Sequence, residues 1–123
     1  MNITIGIADD HQLFLKSLSL LISSLEDFTI IAEGMNGKDL INKLEIKKIE
    51  PDIILLDVNM PVMDGRQTAE YLSEKYPAIK LVALSMKDDD ATIISMIKAG
   101  CCSYLLKDIH PEELNKALLE IHK

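Results

Sequence analysis

Five short apolar runs, each followed by a longer segment with apolar residues at helical spacing, limit how this chain can fold. A strand with one wet face alternates apolar and polar residues, whereas a strand covered on both faces reads as a continuous apolar run. Residues 3–8, Ile-Thr-Ile-Gly-Ile-Ala, are such a run, and residues 28–32, 53–56, 79–84 and 103–106 supply four more. After the first, residues 11–25 place Phe14, Leu18, Leu21 and Leu25 on one helical stripe, with Asp10 as the candidate N-cap. Leu15, Leu20 and Ile22 fall off that stripe, an excess of apolar surface that fits either a wide packing face or a dimer contact. A turn over residues 34–37 leads to a helix over 38–48 with Leu40, Ile41 and Leu44 inward, closed by Pro51. The third strand runs into a loop with Pro61 and Gly65, then a helix to about Tyr76 carrying Ala69 and Leu72 and ended by Pro77. Residues 88–99 form a helix bearing Ile93, Ile94 and Ile97, with Gly100 as its C-terminal cap. In the last helix Pro111 occupies the first turn, Glu112 and Glu113 favour its positive end, and Leu114, Ala117, Leu118 and Ile121 recur at helical spacing.

Strands that alternate strictly with helices predict an α/β fold of three layers, because right-handed crossovers place helices on both faces of a parallel sheet. The 123 residues suit one domain, spanning 1–123, with no linker or low-complexity tract. With 20 acidic residues against 13 basic ones the formal charge is −7, which argues against holding nucleic-acid phosphates or anionic lipid by bulk electrostatics. No apolar run approaches the roughly 20 residues needed to cross a bilayer, and the opening residues lack a signal-peptide pattern. A soluble, cytoplasmic protein without a membrane partner is expected. Cys101 and Cys102 are adjacent, a geometry that disfavours a disulfide. With no third cysteine or nearby histidine pair, they read as reduced packing residues rather than zinc ligands.

The chemistry collects where the strands end. Asp9 and Asp10 follow the first run, Asp57 the third, Ser85 the fourth and Lys107 the fifth. The carboxyl ends of parallel strands share one edge of the sheet, so residues distant in sequence meet there. Singly, each has an ordinary explanation as a cap or a solvated charge. Jointly, they suggest a phosphoryl site. Mg²⁺ takes oxygen ligands and keeps several waters, so two or three carboxylates and a main-chain carbonyl make a weak site for it. An aspartate beside such an ion can attack phosphorus. A lysine and a hydroxyl then meet the charge on the phosphoryl oxygens.

Asp9-Asp10-His11, Leu55-Leu56-Asp57-Val58-Asn59-Met60-Pro61-Val62-Met63-Asp64-Gly65, Leu84-Ser85 and Tyr104-Leu105-Leu106-Lys107-Asp108 together resemble the receiver domain of bacterial two-component response regulators. Within that family, Asp10-His11-Gln12-Leu13-Phe14 and residues 100–108 resemble the NarL/FixJ (LuxR-type) subfamily. The resemblance covers the whole chain and implies a flavodoxin-like (βα)5 fold with strand order 2-1-3-4-5. It implies Asp57 as phosphoacceptor, with Asp9, Asp10, Asp57 and the main-chain carbonyl of Asn59 around Mg²⁺. Lys107 would pair with the phosphoryl group, Ser85 would swing toward it, and Tyr104 would change rotamer behind Ser85. That movement would remodel the face formed by the fourth helix, fifth strand and fifth helix. The implied donor is a sensor histidine kinase or phosphotransfer protein, and homodimerisation on phosphorylation is an expected response. No catalysis is implied beyond the domain's own phosphorylation and dephosphorylation. Members of the subfamily usually carry a C-terminal helix-turn-helix. None is present in this chain, so DNA contact and transcription regulation require a longer gene product, the alternative being a stand-alone relay that docks to a partner.

Two other classes share parts of this pattern. A phosphohydrolase of the haloacid-dehalogenase type also uses aspartate and Mg²⁺, but usually carries an acid two residues after its nucleophile, where Asn59 stands here. A flavodoxin-like cofactor binder needs a phosphate-cradling loop after the first strand, and Asp9-Asp10 would repel that phosphate. Met86 stands where many receivers have a small residue and is expected to narrow access to the phosphoryl group. Lys87 reads as a loop charge or a tuner of water attack. His11 reads as a cap-region or partner-contact residue.

Overall fold

The structure, a computed structural model, describes residues 2–86 and 89–123. Ten elements alternate along the chain: β1 (Ile3–Ala8), α1 (Gln12–Ser24), β2 (Phe28–Gly34), α2 (Gly37–Lys47) and β3 (Ile53–Asp57), then α3 (Gly65–Lys75), β4 (Lys80–Ser85), α4 (Asp90–Lys98), β5 (Ser103–Leu106) and α5 (Pro111–His122). The strands form one sheet in the order β2-β1-β3-β4-β5, and all four pairings are parallel. This is the flavodoxin-like (βα)5 architecture expected from the sequence.

Side-chain alternation along the strands divides the interior into two cores. Ala8, Ala32, Ile54, Leu56, Leu81 and Ala83 face one side and pack with Leu40, Leu44, Ala69, Leu72, Met96 and Ala99 of the α2, α3 and α4 segments. Ile3, Ile5, Ile7, Ile53, Leu55, Val82, Leu84 and Leu105 face the other side and pack with Leu15, Leu18 and Ile22 of α1 and Leu114 and Leu118 of α5. Both faces are covered, which is why the strands read as unbroken apolar runs. Each fully buried Leu or Ile contributes about 1.5–3 kcal/mol relative to exposure.

Helix ends follow side-chain chemistry. Asn36 caps α2 by accepting from the Asp39 amide, and Asp64 and Gln67 form a reciprocal capping box at α3. α4 ends as the sequence predicts: Gly100, at φ +122°, donates to Ile97 O, and Cys101 donates to Met96 O. That pair of bonds is a Schellman closure, which requires a residue tolerant of positive φ.

Three sequence expectations need correction. Asp10 does not cap α1: His11 is the N-cap and its side chain makes no capping bond. The turn is instead held by the preceding residue, whose Oδ1 on Asp9 accepts from the His11 amide at 2.8 Å. The buried stripe of α1 is Leu15, Leu18 and Ile22, not the one through Phe14, Leu21 and Leu25, which are half-buried. On α4, Ile94 and Ile97 are 53% and 48% exposed, and Met96 and Ala99 carry the packing. The expected start of α4 at Asp88 lies outside the described residues. Within them the helix begins at Asp90, with Asp89 accepting from the Ala91 amide.

Candidate functional site

The strand order reverses at β1. β2 lies on one side of it and β3 on the other, so the carboxyl ends of β1 and β3 flank a switch point, where α/β sheets open a crevice. Asp9 follows β1 and Asp57 ends β3. Continuing the strand alternation by one residue places Asp9, Asp57 and Lys107 on the side of the sheet covered by α1 and α5. Ser85 then falls on the opposite side.

Close backbone approaches hold this edge together. Val58 donates to Leu84 O at 3.1 Å, Lys107 donates to Ser85 O at 2.9 Å, and Asp9 donates to Gly34 O at 3.1 Å. Gly65 lets α3 begin directly against β3: a Cβ there would stand 2.5 Å from the Asp57 carbonyl oxygen. Gly37 lets α2 begin directly against α3, where a Cβ would lie 1.7 Å from Thr68 Oγ1.

Three charged side chains meet inside. The Lys107 side chain is 5% exposed, and its Nζ lies 2.8 Å from Asp9 Oδ2 and 3.3 Å from Asp57 Oδ1. Phe14 of α1 presents its ring to the same ammonium, 4.7 Å from centroid to Nζ. Asp9 is wholly buried and Asp57 nearly so. Burial, and then the neighbouring charge of Asp9, push the Asp57 carboxyl up to about 6, against the opposing pull of Lys107 and the Asn59 backbone amide. One lysine thus incompletely compensates two buried acids.

Asp10 and His11 complete the rim. One ligand atom each from Asp9, Asp10, His11 and Asp57 all lie within 4.8 Å of one another. The donor set fits a divalent cation. Asp9 Oδ2 in particular, though 2.8 Å from Lys107 Nζ, receives no directed hydrogen bond and keeps a lone pair for an ion.

Ser85 and Asp57 border a separate cavity of about 240 Å³, together with Val58, Asn59 and Met86. A larger cavity of about 640 Å³ opens beside it, lined by Asp10, His11, Phe14, Met35, Met86 and Lys107 among others. Met86 is 72% exposed and borders both. Tyr104 lies on β5, 37% exposed, paired in register with Ala83. Lys87 lies outside the described residues. Both cysteines are free, as expected; Cys101 is buried, and burial pushes its thiol up to about 12, but Cys102 is exposed, so the expectation of a buried packing residue fails there.

Sequence reasoning therefore placed Asp9, Asp10, Asp57, Ser85 and Lys107 at one edge, and the structure brings them there. It missed two features. Phe14 was assigned to a packing stripe, and only the geometry reveals it against Lys107. Val62 adopts φ +68° in a γ-turn closed by the Met63 amide on Pro61 O at 2.7 Å. A β-branched residue in that region costs about 1–3 kcal/mol, and no sequence signal marks it.

The profile of the response regulator receiver domain matches residues 5–119. The nitrate/nitrite response regulator protein NarL of Escherichia coli strain K12 is 39% identical over 115 residues, covering 94% of this chain and 52% of the relative. The transcriptional regulatory protein DegU of Brevibacillus brevis is 34% identical over 116 residues, covering 94% of this chain and 48% of that protein. The chain thus spans about half the length of these relatives. Among solved structures, the signal receiver domain of a Mycobacterium tuberculosis response regulator designated NarL superposes with TM-score 0.89 at 26% identity, covering 98% of this chain and 96% of that one. The response regulator ChrA of a heme-sensing two-component system gives TM-score 0.80 at 26% identity, over 98% of this chain and 57% of that one.

Proposed function

This chain belongs to the response regulator receiver domain family, among its NarL/LuxR-type members, and on that premise we propose that it is a phosphorylation-controlled switch acting through Asp57. The observation that carries this reading is the meeting of two buried carboxylates with one buried lysine, Asp9 and Asp57 at 2.8 and 3.3 Å from Lys107 Nζ. Such a charge excess is costly unless the site receives a cation or is chemically altered.

In the proposed reaction an Asp57 carboxylate oxygen attacks the phosphorus of a phosphohistidine on a sensor kinase or phosphotransfer protein. A new O–P bond forms, the N–P bond breaks, and the departing imidazole nitrogen keeps the electron pair and takes up a proton. Mg²⁺, when bound, neutralises carboxylate charge and draws electron density from the phosphoryl oxygens. Asp9 and Asp10 would hold it, together with Asp57 and the main-chain carbonyl of Asn59. Lys107 exchanges its contact with Asp57 for one with the transferred group. Ser85 turns toward the same oxygens, and Tyr104 follows, altering the surface of α4, β5 and α5.

That surface already exposes Ile94, Ile97 and Tyr104, so a change there has apolar side chains with which to bind a second copy or an output module. Transcription regulation through a DNA-binding domain is the activity we propose for any longer protein that contains this chain, on the strength of relatives about twice this length. Among the described residues no helix is long and apolar enough to cross a membrane.

Beryllofluoride, a mimic of the phosphoryl group, tests the switch without chemistry. In the presence of Mg²⁺ it is expected to shift the backbone NMR signals of Ser85, Tyr104 and Lys107 together with those of α4. A spectrum unchanged at saturating beryllofluoride would contradict the proposal.

A further inference from the structure

The imidazole of His11 has no structural task that accounts for its position. His11 is the N-cap residue of α1, yet its side chain makes no capping bond. Its backbone is fixed by the bond from its amide to Asp9 Oδ1 at 2.8 Å, while Nδ1 stands 3.7 Å from the same oxygen, too far for a hydrogen bond. The ring is 68% exposed and free to turn, and one of its nitrogens already shares a 4.8 Å envelope with oxygens of Asp9, Asp10 and Asp57.

Octahedral coordination at about 2.1 Å sets opposite ligands about 4.2 Å apart and neighbouring ones about 3 Å apart. The four-residue envelope of 4.8 Å exceeds the larger of these by about 0.6 Å, a closure within reach of an exposed imidazole and an exposed carboxylate. Mg²⁺ has little use for the nitrogen, because it favours carboxylates, carbonyls and water. Imidazole suits the later first-row divalent ions, whose affinities for nitrogen and oxygen sites rise toward nickel and copper.

We propose that His11 is a side-chain ligand of this pocket, making it a mixed nitrogen–oxygen centre that takes a first-row transition-metal dication such as Ni²⁺ or Co²⁺ as well as Mg²⁺. The inference rests on the reading of Asp9, Asp10 and Asp57 as a cation site. It predicts that ion identity, and not only ion presence, sets how tightly the pocket is occupied.

Calorimetric titration of the full chain with Ni²⁺ and, separately, with Mg²⁺ tests this in the wild type and in His11→Ala. The expected result is a loss of about tenfold or more in Ni²⁺ affinity, comparable to losing a ligand's outer hydrogen-bond partner, with Mg²⁺ affinity changed less than about twofold. Unchanged Mg²⁺ binding also certifies that the variant is folded. Added Co²⁺ should in addition displace the ring-proton NMR signals of His11 far more than those of His110 and His122. Equal losses for both ions, or Ni²⁺ binding indifferent to the substitution, would overturn the assignment of His11 and leave the acidic site standing. A wild type that binds neither ion would overturn both.

Discussion

Asp57→Asn is expected to abolish phosphoryl incorporation from acetyl phosphate while making the metal-free domain more stable at neutral pH. The first effect follows from removing the nucleophile, and the residual signal should lie at least about 100-fold below wild type. The second follows from linkage. In the folded domain the Asp57 carboxyl stands at about 6, against roughly 3.9 in an unfolded chain. The folded state therefore holds the proton more tightly. Ionisation of Asp57 costs nothing differential below pH ~4, erodes stability as pH rises from there through about 6, and takes its full toll above. Two units correspond to up to roughly 3 kcal/mol, a net figure in which the opposing pull of Lys107 is already included. Urea denaturation in EDTA should show Asp57→Asn about 1–3 kcal/mol more stable than wild type at pH 7.5 and equal to it near pH 4. A variant no more stable at pH 7.5 would mean that Asp57 is not held under electrostatic stress.

Lys107→Ala is expected to have the opposite sign and a larger size. The lysine side chain is the buried cation between Asp9, which is 0% exposed, and Asp57, 7% exposed at its side chain. Truncating one partner of a buried ion pair leaves uncompensated charge and typically costs about 3–5 kcal/mol. The loss should be greatest without metal above pH ~6, where Asp57 is ionised, and Mg²⁺ should restore part of it. Mg²⁺ binding itself should persist or tighten, since the ammonium no longer competes for Asp9. The beryllofluoride response at Ser85 and Tyr104 should disappear. Denaturation with and without Mg²⁺, followed by the NMR titration, checks each part. A stable variant that loses its metal site would contradict the role assigned to Lys107.

The parallel sheet was legible because doubly covered strands leave an unmistakable trace: Ile53-Ile54-Leu55-Leu56 has no polar side to expose, whereas the strand order came only from the family resemblance. The site was legible for a related reason. Acids and a lysine that end such runs must lie at the carboxyl edge, whatever the loops between them do. Phasing was less legible. α1 carries apolar residues at 13, 14, 15, 18, 20, 21 and 22, so several stripes fit the period. Leu15, Leu18 and Ile22 are the ones buried because they meet the sheet residues Ile3, Ile5, Ile7 and Leu55, a contact that the local pattern does not encode. On α4, periodicity counts Ile94 and Ile97 as apolar but cannot tell a packed face from an unpartnered one. The elevated carboxyl of Asp57 and the ring of Phe14 over Lys107 are likewise tertiary properties. They arise from burial and from the approach of distant elements, not from neighbours in sequence.

On the proposed mechanism Asp57 becomes an acyl phosphate only when its acidic neighbours share a divalent ion. The most direct test is to expose the chain to acetyl phosphate with Mg²⁺ or with EDTA, reduce it with borohydride, and map the product by peptide mass spectrometry. Homoserine is expected at position 57 in the Mg²⁺ sample and unmodified aspartate in the EDTA sample. Reduction at another residue, or equal conversion of Asp57 in both samples, would contradict the mechanism.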